Sequence, residues 1–386
     1  MSLLTGLRRV AVAIQKANNS EFNVPCDKQK RFLKKMGIPR NDIERSFYQY
    51  KAQRMVGKSL FNFAADIASI PLLIYYWLRR SDKIETYEKF DAVLFLDGKP
   101  ENVVPSELRN RFKEVLNVEN KKENLTKKDR KFFLDILKKY PFSWQFLLKC
   151  LIKIRFYSFE LNAHQPEAFI VCNEYSFTSS LLTHYCEVND VKHINVMHGE
   201  KLFYIGDSYF HFHKCYVWDN IYKALFIDLG AEPTQFCVCI PDSLIFHNHG
   251  PISKKNDFVY YLGDENKETI ERIIEILNGL KARGAKVSIR PHPRYTDINV
   301  ESINGVDFEV QDARKISIEE SLLGTRYAVS AYSTVLYQAI HNGTIAVVDD
   351  VSRPELFKKL EDLRYVVLSM DHHLLSEYVE ISFATE

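Results

Sequence analysis

Arg290, His292 and Arg294 stand two residues apart in Lys286-Val-Ser-Ile-Arg-Pro-His-Pro-Arg294. Val287–Ile289 reads as a short buried strand. Pro291 and Pro293 stop its ladder, because each lacks an N–H and fixes φ. The product is a stiff loop at a strand end, carrying groups that are or can become cationic. Ligands of open α/β sheets bind at that edge, so a mono- or diphosphate is the expected ligand, with the imidazole donating to a phosphoryl oxygen. A second stretch, Tyr327-Ala-Val-Ser-Ala-Tyr-Ser-Thr-Val335, reads as a strand, a hydroxyl-rich turn and a helix starting near Ser333. Ser330, Ser333 and Thr334 offer hydroxyls. Ser333 or Thr334 caps the helix, whose remaining N–H groups favour the same phosphate. Taken alone, each stretch is also explained by solvated loop charges or ordinary capping. Together in a β–α frame they point to an anion site.

Transfer to a hydroxyl acceptor also needs a base. Three strands in the N-terminal half end in polar residues: Asp97-Gly98, Asn173-Glu174 and His198-Gly199-Glu200. Asp97 and Glu174 are the main candidates, and Glu200 follows. His198 is expected to contact acceptor or donor, or to shape the loop beside Gly199. Each is otherwise a turn residue or a cap.

Other chemistries lack their signatures. There is no Walker loop, G-x-G-x-x-G, H-E-x-x-H or G-x-S-x-G, and no Asp-x-Asp of the sugar-nucleotide type. No metal or cofactor is expected. His211/His213 and His247/His249 read as loop histidines, and Cys237/Cys239 do not have zinc-site spacing. The net charge of +2 argues against bulk nucleic-acid binding. Seven scattered cysteines fit a reducing compartment, the cytoplasm, better than a disulfide framework. The start, Met1 to Arg9, lacks the apolar core and cleavage site of a signal peptide.

The elements that must position these groups alternate. Residues 29–80 read as helical. Within them Ser59–Leu78 is nearly long enough to span a bilayer, but it contains Asp66 and Pro71. A buried, kinked core helix is the leading reading. An interfacial helix at the inner face of a membrane and a true span are the alternatives. Phe90–Leu96 is the first strand. Helices are expected at 106–116 and at 126–161, the latter broken near Pro141. From Glu167 onward short apolar runs alternate with helical stretches, which argues for parallel sheets. Val366–Leu368 is expected as an edge strand. The polar stretch 241–257 marks a boundary between domains at 1–245 and 246–386. Two Rossmann-like α/β domains facing across a cleft are the expected architecture.

Arg-Pro-His-Pro-Arg at 290–294 and Ser-Ala-Tyr-Ser-Thr-Val-Leu-Tyr-Gln-Ala at 330–339 resemble the HP and Ser-Ser/Thr motifs of bacterial GT-B sialyltransferases and related capsule- and lipooligosaccharide-type transferases. Val196-Met-His-Gly-Glu200 and Tyr216-Val-Trp-Asp219 are similar to strand ends in surface-polysaccharide transferases. The resemblance covers about half the chain, from Glu167 to Asp350. It implies a GT-B fold and an inverting, metal-independent glycosyltransferase acting in polysaccharide, lipopolysaccharide or capsule biosynthesis. It also implies that His292, with Ser330 and Ser333 or Thr334, holds the nucleotide phosphate of a CMP-linked donor, sialic acid or a related acidic sugar. Gly98, Gly199, Glu200, Arg290, Pro293 and Arg294 would complete the substrate contacts. The family's base lies in a D/E-D-G motif, of which Leu96-Asp97-Gly98 keeps the second acid and the glycine. That favours Asp97, whereas the local β–α frame favours Glu174. The expected partners are the nucleotide-sugar donor and a bacterial glycan acceptor. A polyol-phosphate transferase on the same scaffold and a non-catalytic glycan-assembly protein are the alternatives.

Overall fold

The computed structural model describes residues 21–57, 59–84, 87–119, 122–246, 253–293, 303 and 305–379. Residues up to His198 together with Phe203–Pro241 form one compact unit. Gly199–Leu202 and the chain from Asp242 onward form the other.

The first unit opens with three helices, α1 (Cys26–Met36), α2 (Asp42–Val56) and α3 (Ser59–Leu78). Strands β1 (Ala92–Phe95) and β2 (Val115–Asn117) follow, then helices α4 (Lys127–Lys139) and α5 (Trp144–His164). The β–α alternation then runs β3 (Ala168–Val171), α6 (Ser179–Glu187), β4 (Lys192–Val196), β5 (Lys214–Val217), α7 (Asn220–Asp228) and β6 (Phe236–Val238). All six strands are parallel, in the order β2-β1-β3-β4-β5-β6. Every residue of β1 and β3 is buried, as expected of a parallel sheet covered on both faces. The order reverses between β1 and β3, so their C-terminal ends form the switch point of this sheet.

The helix expected over 106–116 is only one turn, Ser106–Arg109. Val115–Asn117 instead pairs with Ala92–Leu94 as an edge strand. The Asp91 carboxylate accepts from the amides of Lys113 and Glu114 and fixes the entry to that strand. The break near Pro141 lies between α4 and α5. Thr126 starts α4 with a reciprocal capping box to Asp129.

The second unit contains β7 (Asn256–Tyr261), α8 (Lys267–Ala282), β8 (Val287–Arg290), β9 (Glu309–Val310), α9 (Ile318–Leu323) and β10 (Thr325–Ser330). It continues with α10 (Thr334–His341), β11 (Ile345–Val348), α11 (Pro354–Asp362), β12 (His373–Leu374) and α12 (Ser376–Val379). Its six strands are also all parallel, ordered β12-β11-β10-β7-β8-β9. Counted from β7 this is the 3-2-1-4-5-6 Rossmann order, with the switch point between β7 and β10. The apolar stripe of α8 (Ile270, Ile273, Leu277, Leu280) packs with Phe258, Tyr260, Val287 and Ile289 in one core. Val366–Ser369 is a 3₁₀ turn, and the edge strand is His373–Leu374. Buried Val366 and Val367 belong to the packing that follows α11, because an apolar triplet alone does not separate strand from turn. Two Rossmann-like units with parallel six-stranded sheets are the α/β composition expected of the GT-B class.

Ser59–Leu78 departs from its leading reading. Only Ser69 and Leu73 of α3 are buried. The helix lies on α5 rather than inside the core, and its carbonyl end is held from within. Arg155, fully buried on α5, donates to the carbonyls of Tyr76, Arg79 and Arg80 and pairs with Glu123 at 3.0 Å. The Tyr76 carbonyl lies in the last turn of α3 and those of Arg79 and Arg80 just past it, so the guanidinium caps the helix end and the chain leaving it.

Candidate functional site

In the first unit the candidates collect at the C-terminal ends of β1, β3 and β4. Phe95, Val171 and Asn195 lie in one row across the sheet. Asp97 and Asn173 are each two residues past that row, and Glu174 and His198 are each three. Position along the chain therefore brings them to one edge, but their environments differ. Asp97 is exposed in a turn with φ 53°, followed by Gly98 at φ 76°. Aspartate tolerates this left-handed region better than most residues.

Glu174 is fully buried. Its Oε2 accepts from Asn195 Nδ2 at 3.0 Å, and its Oε1 lies 3.7 Å from His198 Nδ1. Asn195 Oδ1 accepts in turn from the Asn173 amide at 2.7 Å, and Gln49 on α2 donates to the Glu174 carbonyl at 2.8 Å. Asn195 thus holds one carboxylate oxygen and Gln49 the backbone of Glu174, and the other oxygen faces an imidazole that retains some solvent access. A buried carboxylate this close to one ring nitrogen is placed to orient a partly exposed imidazole, a geometry suited to proton exchange. Asn195 and Gln49 were missed by sequence reasoning. The available signal was an asparagine inside the apolar strand His193-Ile-Asn-Val-Met197, a buried polar residue that must be paired.

The other histidines do different work. His193 is buried between the Tyr157 and Thr183 hydroxyls, and burial drives its pKa well below the usual value, so it is neutral and structural. His211 faces the Asp42 carboxylate at 2.7 Å beside a cavity of about 820 Å³. Arg45 in the same wall is committed to Glu232 at 2.6 Å, and none of the strand-end candidates lines this cavity. His247 and His249 lie outside the described residues, as do Lys58, Arg294 and the start of the chain. Among the described residues no group of three or more His, Cys, Asp or Glu is placed to hold a metal ion. All seven cysteines are free.

In the second unit Arg290 and Tyr261 are paired in register, and Ser330 sits on the other side of Tyr261, donating from Oγ to its carbonyl at 2.9 Å. One row therefore joins the ends of β8, β7 and β10. With strands about 4.8 Å apart, the loop after β8 and the turn after β10 flank the first β–α loop at a spacing a phosphate and its substituents can bridge. Arg290 is buried. Its Nη2 donates to the Ile316 carbonyl at 2.7 Å, while Nη1 is buried with no hydrogen-bond partner among the described residues. Burial lowers its pKa, and the polar and acidic surroundings of Tyr261, Asp312 and Glu320 oppose that shift. An arginine nevertheless stays protonated. His292 is half-buried, Pro291 buried and Pro293 exposed.

The hydroxyl turn divides its labour. Ser330 is buried and its proton is spent on the Tyr261 carbonyl, so it ties β10 to β7. Ser333, half-buried, is the cap of α10, accepting from the Val335 amide at 3.2 Å. Thr334 is half-buried at the first helical position. Buried Tyr365 contacts the Ser333 backbone, and Tyr332 donates to the Glu200 carbonyl at 3.3 Å. Gly199, at φ 70°, and Glu200 are thereby placed beside this turn.

Glu265 also escaped sequence reasoning. It lies in the loop Leu262-Gly-Asp-Glu-Asn266 at the switch point, accepts from the Gly263 amide at 2.6 Å, and is held by burial above the usual carboxylate range. A carboxyl there accepts from hydroxyls and repels phosphate. An anion at this edge would therefore meet the two flanking loops rather than Glu265.

No protein-family model matches the chain, and no curated protein matches it significantly. Among solved structures it is similar to the UDP-GlcNAc 2-epimerase of Methanocaldococcus jannaschii, at 12% identity over 76% of this chain and 93% of that one, TM-score 0.42. It is similar to the Rickettsia bellii UDP-N-acetylglucosamine 2-epimerase, at 11% identity over 76% and 93%, TM-score 0.43. It is also similar to Anabaena HepE, solved with UDP and glucose, at 10% identity over 75% and 97%, TM-score 0.38.

Proposed function

We propose that this chain is an inverting glycosyltransferase that moves a sugar from a nucleotide-linked donor to a hydroxyl of a bacterial surface glycan. The observation that carries the reading is the row Arg290–Tyr261–Ser330 at the switch point of a 3-2-1-4-5-6 sheet. It sets a cationic, proline-stiffened loop and a capped helix start on the same edge. His292, Arg294, Ser333 and Thr334 take the donor phosphate at the start of α10, while Arg290 supplies buried positive charge behind them. Fixed cations in that position do the work that a divalent ion does in metal-dependent transfer. The motif resemblance makes the donor CMP-linked, with sialic acid or a related acidic sugar as the transferred group.

In the reaction the acceptor oxygen attacks the anomeric carbon and the bond from that carbon to the phosphate oxygen breaks. The nucleotide leaves as an anion, and the acceptor proton passes to the base. We assign the base to His198, with Glu174 orienting it and stabilising the imidazolium. Asp97 and Gly98 then shape the neighbouring turn.

The test is a thermal-shift panel of cytidine, uridine, guanosine and adenosine mono- and diphosphates, followed by product analysis with the stabilising nucleotide's sugar. A ligand at a hundredfold its Kd stabilises by about 2.7 kcal/mol, well within measurement. Stabilisation by one base class, and transfer that survives EDTA, are expected. Absence of stabilisation by every nucleotide would remove the reading, and a phosphodiester product would replace it with polyol-phosphate transfer.

A further inference from the structure

Helix α3 has the opposite polarity to a water-facing helix. Its exposed side carries Leu60, Phe63, Ile67, Ile74 and Leu78, spaced by 3, 4, 7 and 4 residues, one stripe at helical period. Exposure along it runs from 53% at Ile67 to 80% at Leu60, and no charge interrupts it. The polar residues lie elsewhere on the helix and are bonded within the fold. Asp66 pairs with Arg54 at 2.8 Å, Asn62 donates to the Arg54 carbonyl at 2.9 Å, and Ser69 donates to the Ala65 carbonyl. An amphipathic helix of a protein surrounded by water shows the reverse arrangement.

The apolar surface extends beyond the helix. Ile74 and Leu78 also line an apolar groove of about 320 Å³, together with Trp77, Phe133, Leu134 and Trp144. Phe142, 82% exposed, stands in the turn between α4 and α5, with its ring 6.5 Å from that of Trp144. A patch built this way is larger than the scattered apolar residues of an ordinary surface. Basic residues border it. Helix α4 holds six Lys and Arg against two Asp, and one of those, Asp129, is buried and bonded inward to Ser158 and Tyr185. Lys131, Leu134 and Lys138 stand at i, i+3 and i+7, so the groove's edge and exposed lysines share one face.

By length and composition α3 could cross a bilayer. It is fastened instead along α5, by Arg155 at its carbonyl end and by the Asp66–Arg54 pair near its start. We propose that this face docks on a bilayer containing anionic phospholipid. The α3 stripe and Phe142 enter the interfacial layer, and the lysines of α4 meet the head groups. The proposal is independent of the sugar-transfer reading.

Cosedimentation of the full chain with vesicles of phosphatidylcholine alone, or with phosphatidylglycerol added, tests it. Binding to the anionic vesicles at low salt, released by high salt, is expected. The double substitution Phe63→Glu/Ile67→Glu should weaken binding at least ~tenfold with unchanged thermal unfolding, because both side chains are exposed. Phe142→Glu on a different element should weaken it too, and Lys131→Glu/Lys138→Glu should abolish the preference for anionic vesicles. Failure to bind at low salt, equal binding to neutral and anionic vesicles, or glutamate variants that bind like the wild type would each overturn the proposal. So would a dimer of the wild type that Phe63→Glu/Ile67→Glu converts to monomer without any vesicle binding, since the stripe would then be a contact between copies.

Discussion

Glu174 Oε1 lies 3.7 Å from His198 Nδ1 at the C-terminal ends of adjacent parallel strands, with the carboxylate's other oxygen held by Asn195. The pair separates two roles that the sequence leaves merged. In the proposed reaction the fully buried carboxylate orients and the partly exposed imidazole exchanges protons.

The first prediction follows from that pair. His198→Ala should lower kcat by ~10²–10⁴-fold with nucleotide affinity retained, the usual cost of losing a general base. Glu174→Gln should lower kcat less, because the imidazole loses its orienting partner but keeps its own nitrogens. Asp97→Asn should leave kcat near wild type. A large loss in Asp97→Asn with normal activity in His198→Ala would return the base to the D-G turn.

Donor binding gives the second. Pro291 and Pro293 already stiffen the loop, so His292→Ala should fold normally. Loss of a charge-assisted hydrogen bond worth ~1.5–3 kcal/mol should raise the donor KM by roughly 10- to 100-fold. Arg290→Lys keeps the charge but loses the fork that reaches the Ile316 carbonyl. It should therefore lower both thermal stability and nucleotide affinity. Unchanged steady-state kinetics in His292→Ala would remove the phosphate role of this loop.

Arg155 supplies a test of how α3 is held. Removing one partner of a buried ion pair costs about 3–5 kcal/mol, and here three carbonyls at and just past the end of α3 lose their donor as well. Arg155→Met should unfold at markedly lower urea concentration and expose the Arg79–Arg80 bond to protease early. Wild-type urea stability in this variant would show that α3 is held by its apolar contacts alone.

The fourth concerns pH. Glu160 is buried, and burial raises its pKa to about 7, opposed by Lys122. The folded state then holds this proton more tightly than the unfolded state, whose carboxyl titrates near its ordinary value. Stability from this group is fully present below the unfolded pKa and is lost as pH rises toward 7. The loss is at most about 3 kcal/mol. Glu160→Gln should flatten that fall, becoming more stable than wild type at pH 8 and little changed at pH 4.5. Urea midpoints at the two pH values decide it, and parallel pH dependence in the two proteins would refute the assignment.

Much of this protein was determined by local sequence. Apolar runs such as Ala168–Val171 and Val287–Ile289 could only be buried parallel strands once helices separated them. Two prolines fixed the end of β8, and Ser333 capped α10 because its side chain reaches an amide two residues on. Such signals act within a few residues, where backbone sterics and capping decide. Other features depended on contacts made far along the chain. Val115–Asn117 became a strand because β1 offered a free edge, and Val366–Leu368 did not because that edge was taken by His373–Leu374. Asp97 and Glu174 look alike as acids that end strands. Only Asn195, Gln49 and His198, arriving from β4, α2 and the loop after β4, buried one and left the other in water. Ser59–Leu78 is the sharpest case. Hydropathy states that its side chains avoid water but not what covers them, and only the packing on α5 shows the stripe left uncovered.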